Sequence, residues 1–353
     1  MARANILSVA GYLPGEVRTN DWFRERAPDV VATAEKHALA NVFAPTGTDP
    51  STRLFDECAA PYMNDPFRGT VARRAMRPDE DVRGIESTAL QRALDTASLT
   101  PKDLDLLICV SFRPEEVSPG NAAYIAKDLG TDAAVMNIEA TCSGTLMAMQ
   151  TAASLIESEC YRTVAVVTSC TYSRDLDLQD SLSWFLGDGA GCIVMASGNE
   201  NTGILASTVV STTETCGAFR FHPCGSHEFR IGVGEVNGGP MMRAMSARDL
   251  RVTAESVAEQ AGFELADIDY LIINTPTAWM ANLGVRALDL QPSQTNCSYA
   301  EVANVGPALT TINMWQALRD GRIKSGDLVL IHGFGTVSNA GAILVRWGDT
   351  ACA

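Results

Sequence analysis

Short apolar runs alternate with stretches of helical periodicity along most of the chain. The runs are too brief for helices and are bounded by polar residues, which is typical of buried strands. They cover residues 104–110, 134–139, 163–168 and 191–196. Residues 121–129 form a helix-like stretch, and residues 143–159 carry apolar positions three to four apart, which predicts helices between the strands. This order predicts a mostly parallel sheet with right-handed crossovers.

The second part of the chain repeats this rhythm. A helical stretch at 247–260 precedes an apolar run at 268–273, just as a helical stretch at 87–97 precedes the first run. Another helical stretch and two further runs follow, at 307–319, 327–331 and 341–346. The repetition predicts two similar α/β halves.

The two halves account for the length of 353 residues. We place the N-terminal half at 1–200 and the C-terminal half at 201–353. Residues 43–74 break the pattern, because they mix proline, aspartate, arginine and aromatic residues without clean periodicity. A long irregular stretch in a compact domain is usually a lid or an interface element. The alternative is a surface insertion.

Composition excludes several classes of protein. Hydrophobic residues make up 46% of the chain and charged residues 20%, as in a globular protein with a buried core. A net charge of −15 repels phosphate backbones and anionic lipid, and no dense Lys/Arg cluster occurs, so we expect no nucleic-acid partner and no membrane association. No apolar run reaches the roughly 18 residues of a membrane span, and the N-terminus does not resemble a signal peptide. We expect a cytoplasmic protein.

The ten cysteines do not indicate a disulfide framework. They are dilute in a chain of this length, and Cys109, Cys170 and Cys192 lie inside or beside apolar runs, which is typical of reduced core residues. No Cys-x-x-Cys pair occurs, and the four histidines lack the spacing of zinc ligands. We predict neither a bound metal nor a cofactor.

Cys142 is the first candidate for chemistry. It lies in Ala-Thr-Cys-Ser-Gly, between a predicted strand and a predicted helix. At such a junction the helix dipole and unpaired backbone N–H groups lower the pKa of a thiol and bind an oxyanion. The alternative for a strand-end cysteine is a packed core residue.

Three further landmarks follow Cys142. The glycine-rich stretch at 187–191 lacks the lysine of a P-loop and precedes a strand rather than following one, so we interpret it as a tight turn where backbones approach closely. Asn304 places an amide at the entry to a helix, and His332 begins a His-Gly-Phe-Gly loop after the last core strand.

These motifs occur in the order and spacing of one enzyme family. Cys142, the glycine stretch, Asn304, the segment 320–330 and the loop Gly333 to Gly335 together resemble beta-ketoacyl-ACP synthase III and its relatives with the thiolase fold. The resemblance covers nearly the whole chain outside 43–74. It implies a five-layer αβαβα architecture of two similar halves and a homodimer. It also implies a ping-pong reaction in which a CoA or acyl-carrier-protein thioester acylates the cysteine.

The resemblance also implies roles for single residues. The backbone N–H groups of Cys142 and of the Gly335-Thr336 loop stabilise the oxyanion, at about 3–4 kcal/mol per good donor. Asn304 corresponds to the asparagine that polarises the carbonyl of an incoming malonyl group. Thr336 and Val337 replace glycines common in relatives and narrow this loop. The family's tryptophan and arginine features that hold the CoA adenine are missing around 43–74, which favours carrier-protein donors, and Arg73-Arg74 and Arg248/Arg251 are the candidate docking patches for an acidic carrier.

The main departure from the family is the missing histidine. Asn274 stands at the position where relatives carry it, 30 residues before Asn304 (304 − 274 = 30). An amide does not accept a proton at neutral pH, so general base catalysis by this residue is lost. His332, His222 and Glu116 are the candidates to compensate; in relatives that join two acyl chains, a glutamate near position 116 reaches across the dimer as a base. The alternatives are structural or exposed loop histidines and a solvated loop carboxylate.

Three functions remain open. The first is an acyltransferase of specialised, polyketide-like metabolism, which passes an acyl group from Cys142 to an alcohol, amine or thiol and needs no decarboxylation. The second is a carbon–carbon condensing ketosynthase that joins two acyl chains, with Glu116 or a displaced histidine as the base. The third is a non-catalytic partner subunit of an active paralogue, against which the retained Cys142 and Asn304 argue.

Overall fold

The computed structural model of the chain describes residues 3–36, 50–198, 200–224, 229–234, 239–334 and 338–353. The strands are β1 Arg3–Tyr12, β2 Glu16–Thr19, β3 Ala72–Ala75, β4 Leu106–Phe112, β5 Ala134–Asn137, β6 Thr163–Thr171, β7 Asp188–Gly198, β8 Gly203–Ser211, β9 Phe219–Pro223, β10 Phe229–Val233, β11 Tyr270–Ile273, β12 Leu328–Phe334, β13 Asn339–Arg346 and β14 Ala351–Cys352. The α-helices are α1 Asn20–Arg26, α2 Pro28–Lys36, α3 Arg53–Ala59, α4 Val82–Thr96, α5 Asn121–Leu129, α6 Gly144–Glu157, α7 Gly239–Ala261, α8 Met280–Ala287, α9 Tyr299–Val302 and α10 Ala308–Arg319.

Two mixed sheets carry the fold. The first sheet has the order β14-β1-β7-β6-β4-β5, and the second has the order β8-β13-β12-β11. The shared order, in which β1-β7-β6-β4 corresponds to β8-β13-β12-β11, confirms two halves of similar architecture. The boundary at residue 200 stays a prediction.

The expectation of a mostly parallel sheet is confirmed, because five of the six strands of the first sheet and three of the four strands of the second run in one direction in the described part of the chain. One strand in each sheet is the exception. Strand β7 runs antiparallel to both β1 and β6, and β13 runs antiparallel to both β12 and β8. The reason is the connection: residues 172–187 between β6 and β7 hold short 3-10 turns, and only residues 335–338 separate β12 from β13. A parallel return needs a crossover of a dozen or more residues, usually with an α-helix. The connection at 335–338 is too short for such a crossover, and the longer connection at 172–187 holds no α-helix.

The helices form three layers around the two sheets. Helices α6 and α10 contact both sheets and lie between them, while α4 and α5 cover the outer face of the first sheet and α7 and α8 that of the second. Met149 of α6 therefore shares one buried cluster with Val166 of the first sheet and Ile331 of the second. This confirms the predicted five-layer αβαβα arrangement. No helix in the described ranges combines the length and apolar character needed to cross a bilayer.

Small residues let the central layer pack closely. The predicted glycine turn is partly wrong, because Gly189 and Gly191 lie inside β7. An added Cβ at Gly191 would meet Thr311 of α10 at 2.5 Å, so the glycine permits close approach of helix and strand. Cys109, Cys170 and Cys192 are buried free thiols, as predicted.

The first turns of α6 and α10 meet. The Thr145 hydroxyl of α6 donates to the Pro307 carbonyl at the start of α10, at 2.6 Å. An added Cβ at Gly144 would collide with Val110 of β4. The two helix starts are thus fixed against each other and against the carboxyl end of β4, where the polar landmarks of the sequence converge.

The segment 43–74 is partly ordered into elements. Its residues 43–49 lie outside the described ranges, but α3 and the start of β3 belong to it. Phe55 of α3 is 8% exposed and packs edge to face on Trp279, with ring centroids 5.8 Å apart. The helix therefore covers the second sheet's outer layer near the end of β11.

Candidate active site

Cys142 lies in a 3-10 turn, Thr141–Ser143, that leads directly into α6. Thr141 adopts a positive φ of 49°, which is uncommon for a residue with a side chain, and its N–H donates to the Glu139 carboxylate at 2.8 Å. The Ser143 hydroxyl donates back to the Ala140 carbonyl at 2.7 Å. These bonds fix the turn and leave the Cys142 side chain partly accessible.

A cavity of about 140 Å³ reaches the Cys142 side chain. Its wall is mostly apolar and includes the aromatic rings of Phe55, Phe112, Tyr172, Phe185, Phe219 and Phe334. Polar groups are few; Asn304 and two arginines, Arg220 and Arg243, are among them. The sulfur therefore faces an apolar pocket rather than the sealed interior.

The electrostatics of Cys142 differ from the prediction. Burial, and to a smaller degree the negative charge of Glu139, raise the pKa of its thiol to about 12, even though hydrogen bonding from the Tyr172 hydroxyl and from the Cys142 backbone N–H acts to lower it. The expected lowering by the helix start is thus outweighed by desolvation of the thiolate. At neutral pH the free thiol is protonated, so the anion forms only as the sulfur reacts.

Asn304 presents an amide to the same cavity. Its Oδ1 accepts from the Gly306 N–H at 2.9 Å, and no Nδ2 hydrogen bond occurs within the described part of the chain. Its backbone is held by Phe185 and Gly187, with N···O distances of 2.9 Å each. The amide hydrogens can therefore donate to a group in the cavity.

Asn274 is placed differently from the expectation that it lines the pocket. It is 1% exposed, its Nδ2 donates to the Phe334 carbonyl at 3.0 Å and its Oδ1 accepts from the Phe334 N–H at 2.8 Å. Both ends of the amide are thus used to extend the pairing of β11 with β12. The structure brings Phe334, and not the Asn274 side chain, to the cavity wall.

The candidate replacements for the histidine do not line the cavity either. His332 is fully buried on β12, on the face shared with Leu330 and Phe334, and burial lowers its pKa to about 3. Its ring packs on Phe334 at 4.4 Å and has no hydrogen-bond partner in the described ranges. His222 lies on the hairpin strand β9, opposite Arg230. Both are absent from the described cavity lining.

The last two predicted residues lie elsewhere. Glu116 is half-buried on the loop after β4, outside the cavity lining, and its N–H donates to Asn121 at 3.0 Å. Its role across a dimer stays a prediction. Gly335 falls outside the described residues; the loop's flanking residues Phe334 and Ser338 are described, and Ser338 Oγ lies 2.9 Å from Thr141 Oγ1.

Comparison with known proteins places this geometry in a family. Residues 136–213 match the family model 3-Oxoacyl-[acyl-carrier-protein (ACP)] synthase III, and residues 258–347 match the C-terminal model of the same enzyme. A beta-ketoacyl-[acyl-carrier-protein] synthase III of Erythrobacter litoralis is 30% identical over 289 residues, which cover 76% of this chain and 85% of that protein. The same-named protein of Listeria welshimeri is 30% identical over 287 residues, 79% of this chain and 88% of that protein.

The chain belongs to the beta-ketoacyl-ACP synthase III family. Its fold matches the crystal structure of 3-oxoacyl-[acyl-carrier-protein] synthase III from Aquifex aeolicus at a TM-score of 0.80, with 23% identity over 98% of this chain and 100% of that one. A crystal structure of Xanthomonas campestris OleA matches at 0.79, with 20% identity and 98% of both chains covered. The thiolase-like fold is thereby shown, and family membership makes the chain a transferase of the ketosynthase type.

The family matches include Cys142 in the first range and both Asn274 and Asn304 in the second. Sequence reasoning missed Tyr172, which follows β6 and lines the same cavity as Cys142. A signal was present, because β4, β5 and β6 are parallel neighbours whose carboxyl ends share one sheet edge. A polar aromatic residue directly after such a strand is a candidate site residue.

Proposed function

We propose that this protein is an acyltransferase that forms an acyl-S-Cys142 intermediate and passes the acyl group to an oxygen, nitrogen or sulfur nucleophile. In the first half-reaction the Cys142 sulfur attacks the carbonyl carbon of a thioester. A new S–C bond forms, the bond to the donor sulfur breaks, and the thiol proton ends on that leaving sulfur. The access of the sulfur to an apolar cavity supports this step.

The observation that carries the choice of acceptor is the placement of Asn274. Its amide is tied to the Phe334 backbone, and His332 is buried away from the cavity lining. Decarboxylative condensation in the family uses an imidazole beside the asparagine, and no histidine lines the described cavity. Transfer to a nucleophile that brings its own lone pair needs no decarboxylation.

Two donors support an oxyanion in either half-reaction. The Cys142 backbone N–H lies close enough to its own sulfur to lower the thiol pKa, and the Asn304 amide faces the same cavity. Each preorganised donor in a water-poor site is worth about 3–4 kcal/mol of transition-state stabilisation.

The cavity favours a compact acyl group. A cavity of about 150 Å³ holds benzene, and the cavity beside Cys142 measures about 140 Å³. We therefore expect an acyl group of about six heavy atoms by the same comparison. The lining of the cavity is apolar except for a few groups such as Arg220 and Arg243. Arg243 is 2% exposed, and its Nη1 lies 3.8 Å from Asp56 Oδ1.

The donor is proposed to be an acyl-carrier-protein or CoA thioester, as the names of the curated relatives indicate for the carrier. The first of the two predicted docking patches, Arg73-Arg74, is corrected. Arg73 is 1% exposed and donates a hydrogen bond to the Trp184 carbonyl, so its guanidinium is not available to a carrier protein. Arg248 and Arg251 on α7 are about half exposed and remain the proposed patch.

A homodimer is proposed through β5, the edge strand of the first sheet. Ala134, Val135 and Asn137 on this strand are exposed, with Val135 at 42%. An exposed edge strand that carries apolar side chains is a template for pairing with a second copy. The loop with Glu116 and the 88% exposed Val117 precedes α5, which packs on β5.

Carbon–carbon condensation is the second candidate. The curated relatives are named synthases, and Asn304 retains the amide that polarises a malonyl carbonyl in the family. This candidate needs a base from outside the described lining, such as Glu116 of a second copy.

Intact mass spectrometry separates the candidates. The protein is incubated with acyl-carrier-protein thioesters of increasing size; a Cys142-dependent adduct that forms with compact acyl groups is the expected result, and no adduct with any of them indicates a non-catalytic partner subunit. The acylated enzyme is then offered alcohols, amines, thiols and a malonyl thioester. Ester, amide or thioester products without CO2 support the proposal, and CO2 release with a ketone product would replace it by condensation.

A further inference from the structure

Two polar side chains from the outer layer of the second sheet interrupt the mostly apolar wall of the cavity that Cys142 lines. They are Arg243 of α7 and Thr277, which lies in the connection between β11 and α8. Helices α3, α7 and α8 contact one another in this layer, and Phe55 of α3 and Met280 of α8 line the cavity as well. A cation and a hydroxyl therefore reach the cavity from one layer of the fold.

The guanidinium of Arg243 is buried in the cavity wall. The residue is 2% exposed, and its Cζ lies 6.0 Å from the centroid of the Phe55 ring. Its ion pair with Asp56 spans 3.8 Å between Nη1 and Oδ1, which is longer than a charge-assisted hydrogen bond of about 2.7–2.9 Å. Because a guanidinium presents several N–H donors in a planar fork, it can serve this ion pair and bind a second anion at the same time.

The hydroxyl of Thr277 is the second polar group. Its oxygen is buried and has no hydrogen-bond partner in the described part of the chain. The backbone of the residue is held, because its carbonyl accepts from the Met280 N–H at 3.2 Å. A buried hydroxyl without a partner is destabilising, so a ligand that accepts a hydrogen bond from Thr277 would remove that cost.

The size and charge of the cavity indicate which anion it accepts. None of the described lining residues is a carboxylate, and the volume of about 140 Å³ holds one compact group. One buried guanidinium balances one negative charge, whereas the second charge of a phosphate would be buried among apolar side chains at a high cost. The planar fork of the guanidinium also matches a carboxylate. A short aliphatic carboxylate therefore fits the cavity best.

We propose that Arg243 and Thr277 form a subsite that binds a carboxylate of the substrate. The inference deepens the proposed function and rests on Cys142 as the acyl carrier. Because the cavity holds one compact group at a time, we expect the acyl group to bear the carboxylate, as in a short dicarboxylic half-thioester. In acylation the bond between the Cys142 sulfur and the acyl carbon forms, the bond to the donor sulfur breaks, and the thiol proton ends on that leaving sulfur. The distal carboxylate stays ionised and forms only hydrogen bonds.

Protection of Cys142 from iodoacetamide tests the subsite without any acyl transfer. The alkylation rate of Cys142 is followed by peptide mass spectrometry in the presence of increasing butyrate or butyramide, which have the same number of heavy atoms and differ in charge. A hydrogen-bonded ion pair should make butyrate protect at concentrations about 10- to 100-fold lower than butyramide. Equal protection by the two compounds, or protection by neither, would overturn the inference.

Substitutions then assign the preference for butyrate to the two residues. Arg243→Met should remove the preference, and Arg243→Lys should keep part of it. Thr277→Val, which removes only the hydroxyl, should reduce the preference by about 3- to 10-fold and keeps the inference testable if Arg243→Met does not fold. The matched control is Arg53→Met, an exposed arginine of α3 outside the described lining, which should leave the preference unchanged. A preference that survives both Arg243→Lys and Thr277→Val at full size would contradict the subsite.

A second pair of probes shows which substrate bears the carboxylate. The protein is acylated with succinyl or levulinyl thioesters of N-acetylcysteamine, which differ in a carboxylate against a methyl ketone, and the adducts are read by intact mass. Faster acylation by the succinyl thioester, lost in Thr277→Val, places the carboxylate on the acyl group. If the acylation rates are equal but the levulinyl enzyme transfers its acyl group faster to lactate than to lactamide, the subsite binds a carboxylate of the acceptor.

The two proposals fail in different ways. Acylation by levulinyl and succinyl thioesters at equal rates, with no preference for lactate and none for butyrate, would leave the proposed function standing and overturn the carboxylate subsite. If no thioester acylates Cys142 while butyrate still protects it and Arg243→Met abolishes that protection, the proposed function fails and the subsite stands.

Discussion

The two central helices begin with similar backbones and different chemistry. Just before α6, Thr141 has a φ of 49° and is followed by Cys142; before α10, Ala303 has a φ of 59° and is followed by Asn304. Both positive-φ residues carry side chains, and such conformations persist only where the surrounding structure holds them, typically at functional sites. The duplicated architecture thus brings Cys142, the proposed nucleophile, from one half and Asn304, the proposed amide donor, from the other to a single cavity.

A second contrast lies within the C-terminal half. Asn304 lines the cavity, and its Nδ2 donates no hydrogen bond within the described ranges, whereas both ends of the Asn274 amide are hydrogen-bonded to the backbone of Phe334. Two residues of the same type therefore do unrelated work. What decides between the roles is whether an unpaired backbone N–H and C=O lie within reach, since buried peptide groups must be hydrogen-bonded.

The largest expected effect comes from removing the proposed nucleophile of the N-terminal half. Cys142→Ala should abolish the acyl adduct seen by intact mass, because no other cysteine is among the described lining residues. Cys160→Ala, just beyond the opposite end of α6, is the matched control and should leave the adduct intact. An adduct that persists in Cys142→Ala would place the nucleophile elsewhere.

Removing the proposed amide donor of the C-terminal half should have the next largest effect. Asn304→Asp keeps the oxygen that accepts from the Gly306 N–H but replaces the amide hydrogens. Loss of one oxyanion donor typically slows turnover by about 100-fold, measured here as the single-turnover acylation rate. Asn282→Asp on α8, outside the described cavity lining, is the control. An unchanged rate for Asn304→Asp would show that the two helix starts do not cooperate.

The pH dependence of stability in a His332 variant shows whether this histidine can accept a proton in the folded protein. Burial lowers the pKa of His332 in the folded protein to about 3, below the value of about 6.5 for a histidine in the unfolded chain. Below about pH 6.5 the unfolded chain therefore binds a proton that the folded protein does not bind, and the free energy of unfolding falls. Between pH 6.5 and 5 the free energy of unfolding should fall by about 2 kcal/mol from this residue alone. Urea unfolding of His332→Leu should lack that part of the loss. Equal pH slopes in both proteins would mean that the folded histidine accepts a proton and is again a candidate base.

Asn274→Ala should lower the free energy of unfolding while having only a small effect on the acylation rate. It leaves the Phe334 N–H and C=O without their partner, and an unsatisfied buried polar group costs about 1–3 kcal/mol. We expect a loss of that size in urea unfolding and a smaller drop in acylation rate than for Asn304→Asp. Gln260→Ala, an exposed amide on α7, should change stability little. If Asn274→Ala instead slowed acylation as strongly as Asn304→Asp, with little loss in the free energy of unfolding, Asn274 would again be a candidate catalytic residue.

The smallest effect concerns the backbone strain before Asn304. Ala303→Gly relieves the positive φ but adds freedom to the unfolded chain, so we expect a net gain of about 0.5–1 kcal/mol in urea unfolding. Thr141→Gly should show no such gain, because it also loses the contact between Thr141 Oγ1 and Ser338 Oγ. A loss of stability in Ala303→Gly would mean that the conformation is not strained.

Local pattern was a good guide to the elements. The helix α5 was predicted at about 121–129 and spans Asn121–Leu129, because a helical pattern is a property of consecutive residues. The direction of β7 and β13 was not predictable from apolar runs, since a run looks the same in either direction. The position of Cys142 at a helix start was predicted, but its raised pKa was not, because desolvation depends on what packs around the sulfur.

The amino-acid sequence alone determined the alternation of strands and helices, the duplicated rhythm and the placement of Cys142 and Asn304 at turns, since these follow from spacing along a few consecutive residues. The tertiary structure decided which side chains share the cavity. It hydrogen-bonded Asn274 to Phe334, buried the His332 ring against that residue and placed Tyr172 in the wall of the cavity that Cys142 lines. Such choices depend on hydrogen-bond partners and burial contributed by segments far apart in the chain, which no local pattern encodes.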